Sequence, residues 1–179
     1  MKYYIVALFD EETYQVISPI QRNMSKKFRA NRNSPVPFIL LTTIEDPNSD
    51  KLCSVVDKVM ASYKSFRIDA SDLVYLFEPT KSVNLKIDDK GYIKRLSRCL
   101  LDSLELNGFN VQSFGDNFIS LANLSYIPKD YKNQDVKLNF PEIYNKDNVS
   151  KLRVKSIEIW KLPVVKKNTP LKSYILKDF

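Results

Sequence analysis

Few residues in this chain could do acid–base chemistry at neutral pH. Histidine, whose ordinary pKa lies nearest neutrality, occurs 0 times in 179 residues, which excludes imidazole proton transfer and imidazole-ligated zinc. Asp69, Asp72, Asp88 and Asp89 are the carboxylates that could hold Mg²⁺ for a hydrolytic step, but helix caps and solvated faces account for them as well, and no metal motif frames them. Cys53 and Cys99 fall in apolar helical patterns far apart, the placement of core thiols rather than of a metal cluster or redox pair. No cofactor and no metal is therefore expected. What remains is binding chemistry. Arg22, Lys26, Lys27, Arg29 and Arg32 form the densest cationic stretch, with no acid between Arg22 and Arg32. They are either a solvated helix end that complements the helix dipole or a phosphate-binding rim. The formal net charge of +7 favours a polyanionic partner such as a nucleotide or RNA.

Two short apolar segments organise the elements around these groups. Phe38-Ile39-Leu40-Leu41 and Phe118-Ile119-Ser120-Leu121 share the pattern Phe-Ile-x-Leu, 80 residues apart. Both read as buried strands, in which residues i and i+2 share a face, so Phe38 lies beside Leu40 and Phe118 beside Ser120. A near-continuous apolar run at residues 2 to 9 predicts an interior strand, followed by a helix carrying Ile17, Ile20, Met24 and Phe28, with a break or kink where Ser18 caps a fresh start at Pro19. Asn48 or Ser49 opens a second helix bearing Leu52, Val55, Val56, Val59, Met60 and Tyr63. Two or three strands are expected over 66–70, 73–77 and 83–87, with a turn near Glu78-Pro79-Thr80. A third helix, capped by Asp88 or Asp89, buries Ile93, Leu96, Leu100 and Leu104 and stops at Asn107-Gly108. The second Phe-Ile-x-Leu strand follows a Gly115-Asp116 turn. Residues 129 to 150 read as a connection with one short helix, and two strands, Leu152 to Trp160 and Leu171 to Ile175, close the chain.

The order and spacing of these elements resemble the two-histidine (2H) phosphoesterase superfamily, the 2′-5′ RNA ligase-like or RNA cyclic phosphodiesterase proteins. Their signature strands read His-hydrophobic-Thr/Ser-hydrophobic. Pro37 before Phe38 is similar to the proline that commonly precedes the first histidine, and Val154 to Ile159 and Leu171 to Leu176 are similar to the family's late strands. The resemblance implies an α+β, two-lobed fold. Two antiparallel or mixed sheets would face each other across a central groove with helices outside, and residues 1–179 would form one domain of two similar lobes. In the family one histidine is proposed as base and the other as acid, while the hydroxyls hold phosphate oxygens. Here Phe38 and Phe118 stand at the histidine positions, Leu40 at the first hydroxyl position, and only Ser120 keeps the expected chemistry. A register shift bringing Thr42 or Thr43 to the first hydroxyl position would restore a hydroxyl pair but neither histidine.

These substitutions point to a non-catalytic member of that fold. Phe38 and Phe118 would either fill a collapsed cleft or line a groove in which they stack bases, with Tyr3 or Tyr4, whichever faces the groove, adding to it and Ser120 touching phosphate or sugar. The ligand expected is a nucleotide, an oligonucleotide, cyclic or linear, or RNA. The alternatives are a protein-interaction or inhibitory module using the Lys/Asn-rich stretch from Lys129 to Ser150, and a carboxylate/Mg²⁺ phosphoesterase. No membrane span and no signal peptide are read in the sequence, so the cytoplasm is the expected location.

Overall fold

The strand β1 (Lys2–Phe9) is buried on both faces, which is why its sequence is nearly all apolar. Tyr3, Ile5, Ala7 and Phe9 enter the larger core, while Val6 and Leu8 enter a smaller one on the other side, with Tyr4 packed against it. The computed structural model describes residues 1–88, 91–113, 117–127, 129, 135–137, 152–164, 166 and 169–178.

Helix α1 (Glu11–Lys27) is capped by Asp10, whose carboxylate accepts from the Thr13 amide at 2.9 Å, and places Glu11 and Glu12 in its first turn. Of the break or kink expected at Pro19, the break does not occur; the helix runs through it. Proline has no N–H to give the preceding turn, and side chains add hydrogen bonds around it: Ser18 Oγ donates to the Tyr14 carbonyl at 2.6 Å and Asn23 Nδ2 to the Pro19 carbonyl at 2.9 Å. The chain continues through β2 (Phe38–Glu45), α2 (Ser49–Met60), β3 (Phe66–Ile68), β4 (Ala70–Phe77), β5 (Ser82–Ile87) and α3 (Gly91–Leu106). It closes with β6 (Asn110–Gln112), β7 (Phe118–Asn123), β8 (Asp135–Lys137), β9 (Leu152–Lys161) and β10 (Lys172–Ile175). Asn48 caps α2, and Gly108, at φ 83°, ends α3 in the left-handed conformation that glycine adopts without strain.

The described strands make one antiparallel sheet in the order β10-β9-β1-β2-β7-β5-β4-β8, with β3 added to β9 and β6 to β2. The α+β architecture with helices on the outside stands. The two halves of the sheet, β10-β9-β1-β2 and β7-β5-β4-β8, are joined by hydrogen bonds at one short ladder, Phe38 opposite Ser120 and Ile39 opposite Ile119. The strand β6 has no counterpart in the sequence reading. Within 129–150, residues 135–137 form β8, which pairs with β4. The rest of that stretch, like Asp89 and the Gly115-Asp116 turn, lies outside the described residues.

The larger core fills the space between the sheet and the three helices. Ile17, Ile20 and Met24 of α1, Leu52 and Val56 of α2, and Ile93, Leu96 and Leu100 of α3 meet Ile5, Ile39, Leu85 and Ile119 of the sheet. Each such side chain contributes about 1.5–3 kcal/mol when fully buried, so this helical face anchors the fold. The smaller cluster, Val6, Leu8, Phe38, Leu40 and Trp160, leaves the opposite face free to be shaped as a cleft. No helix among the described residues is long and apolar enough to cross a membrane.

Candidate functional site

Helix α1 holds both Phe-Ile-x-Leu strands in place. Tyr14 Oη donates to the Pro37 carbonyl at 3.0 Å, immediately before Phe38, while Gln21 Nε2 donates to the Leu121 carbonyl at 2.8 Å and reaches the Pro35 carbonyl at 3.4 Å. Burial pushes the Tyr14 phenol far up, so it stays a neutral donor. Between Ile5 and Val6 the β1–β2 register shifts by a bulge: Ile5 faces Thr42 and Val6 faces Leu40. Leu41, skipped by that ladder, offers its carbonyl to Ser97 Oγ of α3 at 2.7 Å.

The bulge settles the register question. Leu40 keeps the position two residues after Phe38, while the Thr42 and Thr43 hydroxyls each donate to the Gln112 carbonyl at 3.2 Å, so neither threonine replaces it. Phe38, Leu40, Phe118 and Ser120 then come together in a cleft of about 560 Å³ on the face away from the helices. Tyr4 lines it too. Tyr3 does not: it is 7% exposed in the helical-side core, because neighbouring residues of a strand point to opposite faces.

Both phenylalanine rings are largely covered. Phe38, 5% exposed, stands edge-on to Trp160 at 5.0 Å, with Tyr4 at 6.5 Å. Phe118, 4% exposed, packs on Tyr75 at 5.4 Å and Phe77 at 5.3 Å. Each therefore borders the cleft but offers too little open face to stack a base. The ring available for stacking is Tyr4, which is only half-buried, and burial raises its phenol above the ordinary value, so it is an uncharged donor at neutral pH.

The basic residues lie away from the cleft wall. Arg22, Lys26, Lys27, Arg29 and Arg32 occupy the last turns of α1 and the loop after it, and none of them lines the cleft, because α1 packs on the other face of the sheet. The cation that does line it is Lys81, exposed in the β4–β5 turn. Thr80 and Ser82 flank it, 2.6 Å apart at their hydroxyls, and Ser82 Oγ donates on to Asn84 Oδ1 at 3.0 Å. Sequence reasoning located this turn without assigning it to the site. The signal was there: Ser82 and Asn84 alternate with Val83 and Leu85 in an otherwise apolar strand, so one face of β5 is polar although buried. Leu162, Pro163 and Val164, just after β9, complete the wall.

Ser120 is the most telling group. It is 4% exposed and lines the cleft, yet among the described residues no hydrogen bond reaches its hydroxyl. A buried polar group without a partner costs about 1–3 kcal/mol, so its retention calls for an explanation. No described residue lining the cleft is acidic, and Asp69, Asp72 and Asp88 are not among them. The described residues of the cleft thus offer hydroxyls, one ammonium group and a phenol, which can donate hydrogen bonds to an anionic, oxygen-rich ligand.

No family model and no curated protein matches the sequence. Solved structures do. The chain superposes on E. coli LigT complexed with 3′-AMP with a TM-score of 0.61 at 14% identity, over 99% of this chain and 98% of that one. A phosphoesterase crystal structure matches with a TM-score of 0.60 at 13% identity over 99% of both chains. Kluyveromyces marxianus Usb1 matches with a TM-score of 0.56 at 11% identity, over 95% and 97%. The fold is that of the two-histidine phosphoesterases. LigT has also been crystallised with phosphate, NADP+ and ATP. In this fold the cleft lies between β2 and β7, and Phe38, Phe118 and Ser120 line it.

Proposed function

We propose that the protein binds a nucleotide or oligonucleotide in this cleft and does not cleave it. The observation that carries the reading is the unpartnered Ser120 hydroxyl, buried at the cleft wall on the strand that faces Phe38. A phosphate or ribose oxygen seated there would satisfy it. Lys81 supplies the charge, Thr80 and Ser82 supply further hydroxyls, and Tyr4 supplies a ring edge or face for the base. The 560 Å³ volume is in the range of sites for molecules of mononucleotide size. Catalysis is set aside on chemical grounds: with no histidine in the chain and a Tyr4 phenol held in its protonated form, the described residues of the cleft include no imidazole or phenolate base to take a proton at neutral pH.

Isothermal titration at low salt with 3′-AMP, ATP, 2′,3′-cyclic AMP and short linear and cyclic oligonucleotides is the direct test, run beside an assay for hydrolysis of the cyclic nucleotide. Binding without turnover is expected. Silence across the whole panel would remove the reading, and turnover would remove its non-catalytic half.

A further inference from the structure

A second cavity, of about 570 Å³, lies between α2 and α3, on the helical side of the sheet and away from the cleft. The spacing i, i+3, i+7 puts Tyr92, Arg95 and Cys99 along one side of α3, and Val55 and Val59 stand one turn apart on α2. This side of α3 is not the stripe of Ile93, Leu96, Leu100 and Leu104 that enters the core. The helix thus carries a second face, and that face turns to the cavity.

Its aromatic wall is built from the core outward. The Tyr92 ring packs on buried Phe66 at 4.3 Å and meets the Tyr63 ring edge-on at 5.9 Å. Burial, followed by a hydrogen bond shared with the Cys99 thiol, pushes the Tyr63 phenol up to about 12, with nearby Arg95 opposing the rise, so it stays neutral. The Tyr92 hydroxyl has no hydrogen-bond partner among the described residues. The charged groups on the wall are both cations, Lys58 from α2 and Arg95 from α3, and no described lining residue is acidic. Both are exposed, and among the described residues neither makes an ion pair. Neighbouring cations are engaged: Lys51 donates to the Asn107 carbonyl at 2.7 Å, and Lys172 to Asp57 at 2.6 Å. Asp57, the acid next to Lys58, is held outside this cavity by that bond and by one from Tyr174 at 2.6 Å.

We propose that this cavity binds an aromatic carboxylate of one or two rings, its rings against Val55, Val59 and Tyr92 and its carboxylate on Arg95 and Lys58. The volume suits a small organic molecule, and the Tyr92 ring can take a second aromatic edge-on or offset. The guanidinium fork matches a carboxylate with two parallel hydrogen bonds, and the ammonium group adds a second charge. A neutral ligand would leave both cations unused. Bare phosphate would use them but leave the apolar walls in water. The site shares no lining residue with the cleft, so it stands apart from the nucleotide-binding reading.

Cys99 reports on the cavity directly. In Cys53→Ser it is the one thiol of the chain, and its rate of reaction with uncharged 4,4′-dithiodipyridine can be followed by absorbance. The probe 2-naphthylacetate should slow that reaction in proportion to occupancy. Its neutral counterpart 2-naphthylacetamide should bind about tenfold more weakly, and inorganic phosphate and 3′-AMP should not protect. Adding Arg95→Gln, an exposed change that circular dichroism should show to be folded, should weaken naphthylacetate about tenfold and leave the amide unaffected. Equal protection by acid and amide, an unchanged affinity in Arg95→Gln, or no protection at millimolar naphthylacetate would each overturn the proposal. Protection by 3′-AMP as strong as that by naphthylacetate would overturn it too, by showing a site without preference for a carboxylate.

Discussion

Phe38 and Ser120 are directly opposed in the short ladder that joins the two halves of the sheet. The first residue of one Phe-Ile-x-Leu segment and the third residue of the other are thus one cross-strand pair. The ring is held by Trp160 and Tyr4, while the hydroxyl is held by nothing among the described residues.

Ser120→Ala should therefore raise stability and lower affinity together. Removing an unpaired buried hydroxyl should add about 1 kcal/mol, read from the urea midpoint. Losing its bond to the ligand should weaken 3′-AMP binding by roughly three- to tenfold. A destabilised variant would mean that the hydroxyl already has a partner.

Phe38→Ala and Phe118→Ala should each cost about 3–4 kcal/mol, because both rings fill packed aromatic clusters. Trp160, the one tryptophan of the chain and 5.0 Å from the Phe38 ring, reports the unfolding of that side by fluorescence. Phe38→His should also destabilise, and in this apolar setting the imidazole stays neutral. With Leu40 and Phe118 unchanged it should give no turnover of 2′,3′-cyclic AMP.

Arg29→Gly should stabilise the fold by about 1 kcal/mol, since glycine adopts its φ of 51° without strain. A thermal melt that falls instead of rising would mean that the arginine side chain contributes to the fold.

The pH profile should be bounded on both sides. Hydrogen bonds from Lys172 and then Tyr174 hold the Asp57 carboxyl below its usual range, and bonds from Lys155 and then Ser65 do the same for Asp178. A carboxyl depressed in the folded state contributes stability above its unfolded pKa of about 4, and that contribution is lost as the pH falls below it. Burial, followed by the bond to Asp57, pushes Tyr174 upward, and burial takes Tyr63 to about 12. These phenols contribute fully below about pH 10 and lose that contribution as the pH rises further. Urea midpoints at pH 3, 5, 7 and 10.5 should peak in the middle, and Asp57→Asn should flatten the acid side. Both carboxylates are half exposed, so their effect should be small.

The sequence by itself determined what is local or compositional. Strand alternation and helical spacing placed β1, β2, α2, α3, β7 and β9, the Asn48 cap and the Gly108 stop are side-chain and backbone preferences of single positions, and the absence of histidine needs no structure to read. Even the α+β fold was legible, because it rests on the order and spacing of the elements around the two Phe-Ile-x-Leu strands. Tertiary structure alone decided which side of each element meets the cleft. Alternation says that Tyr3 and Tyr4 part company, but the pairing of β1 with β2 and β9, and the helices packed on one face, decide which goes where. The same holds for Lys81, brought into the site by a turn 39 residues from Ser120, and for the basic end of α1, carried to the other face yet tied by Asn31 to the cleft's end. Periodicity is a property of neighbours along the chain. The face of a sheet and the register between strands 80 residues apart are set by long-range pairing, which no local pattern encodes.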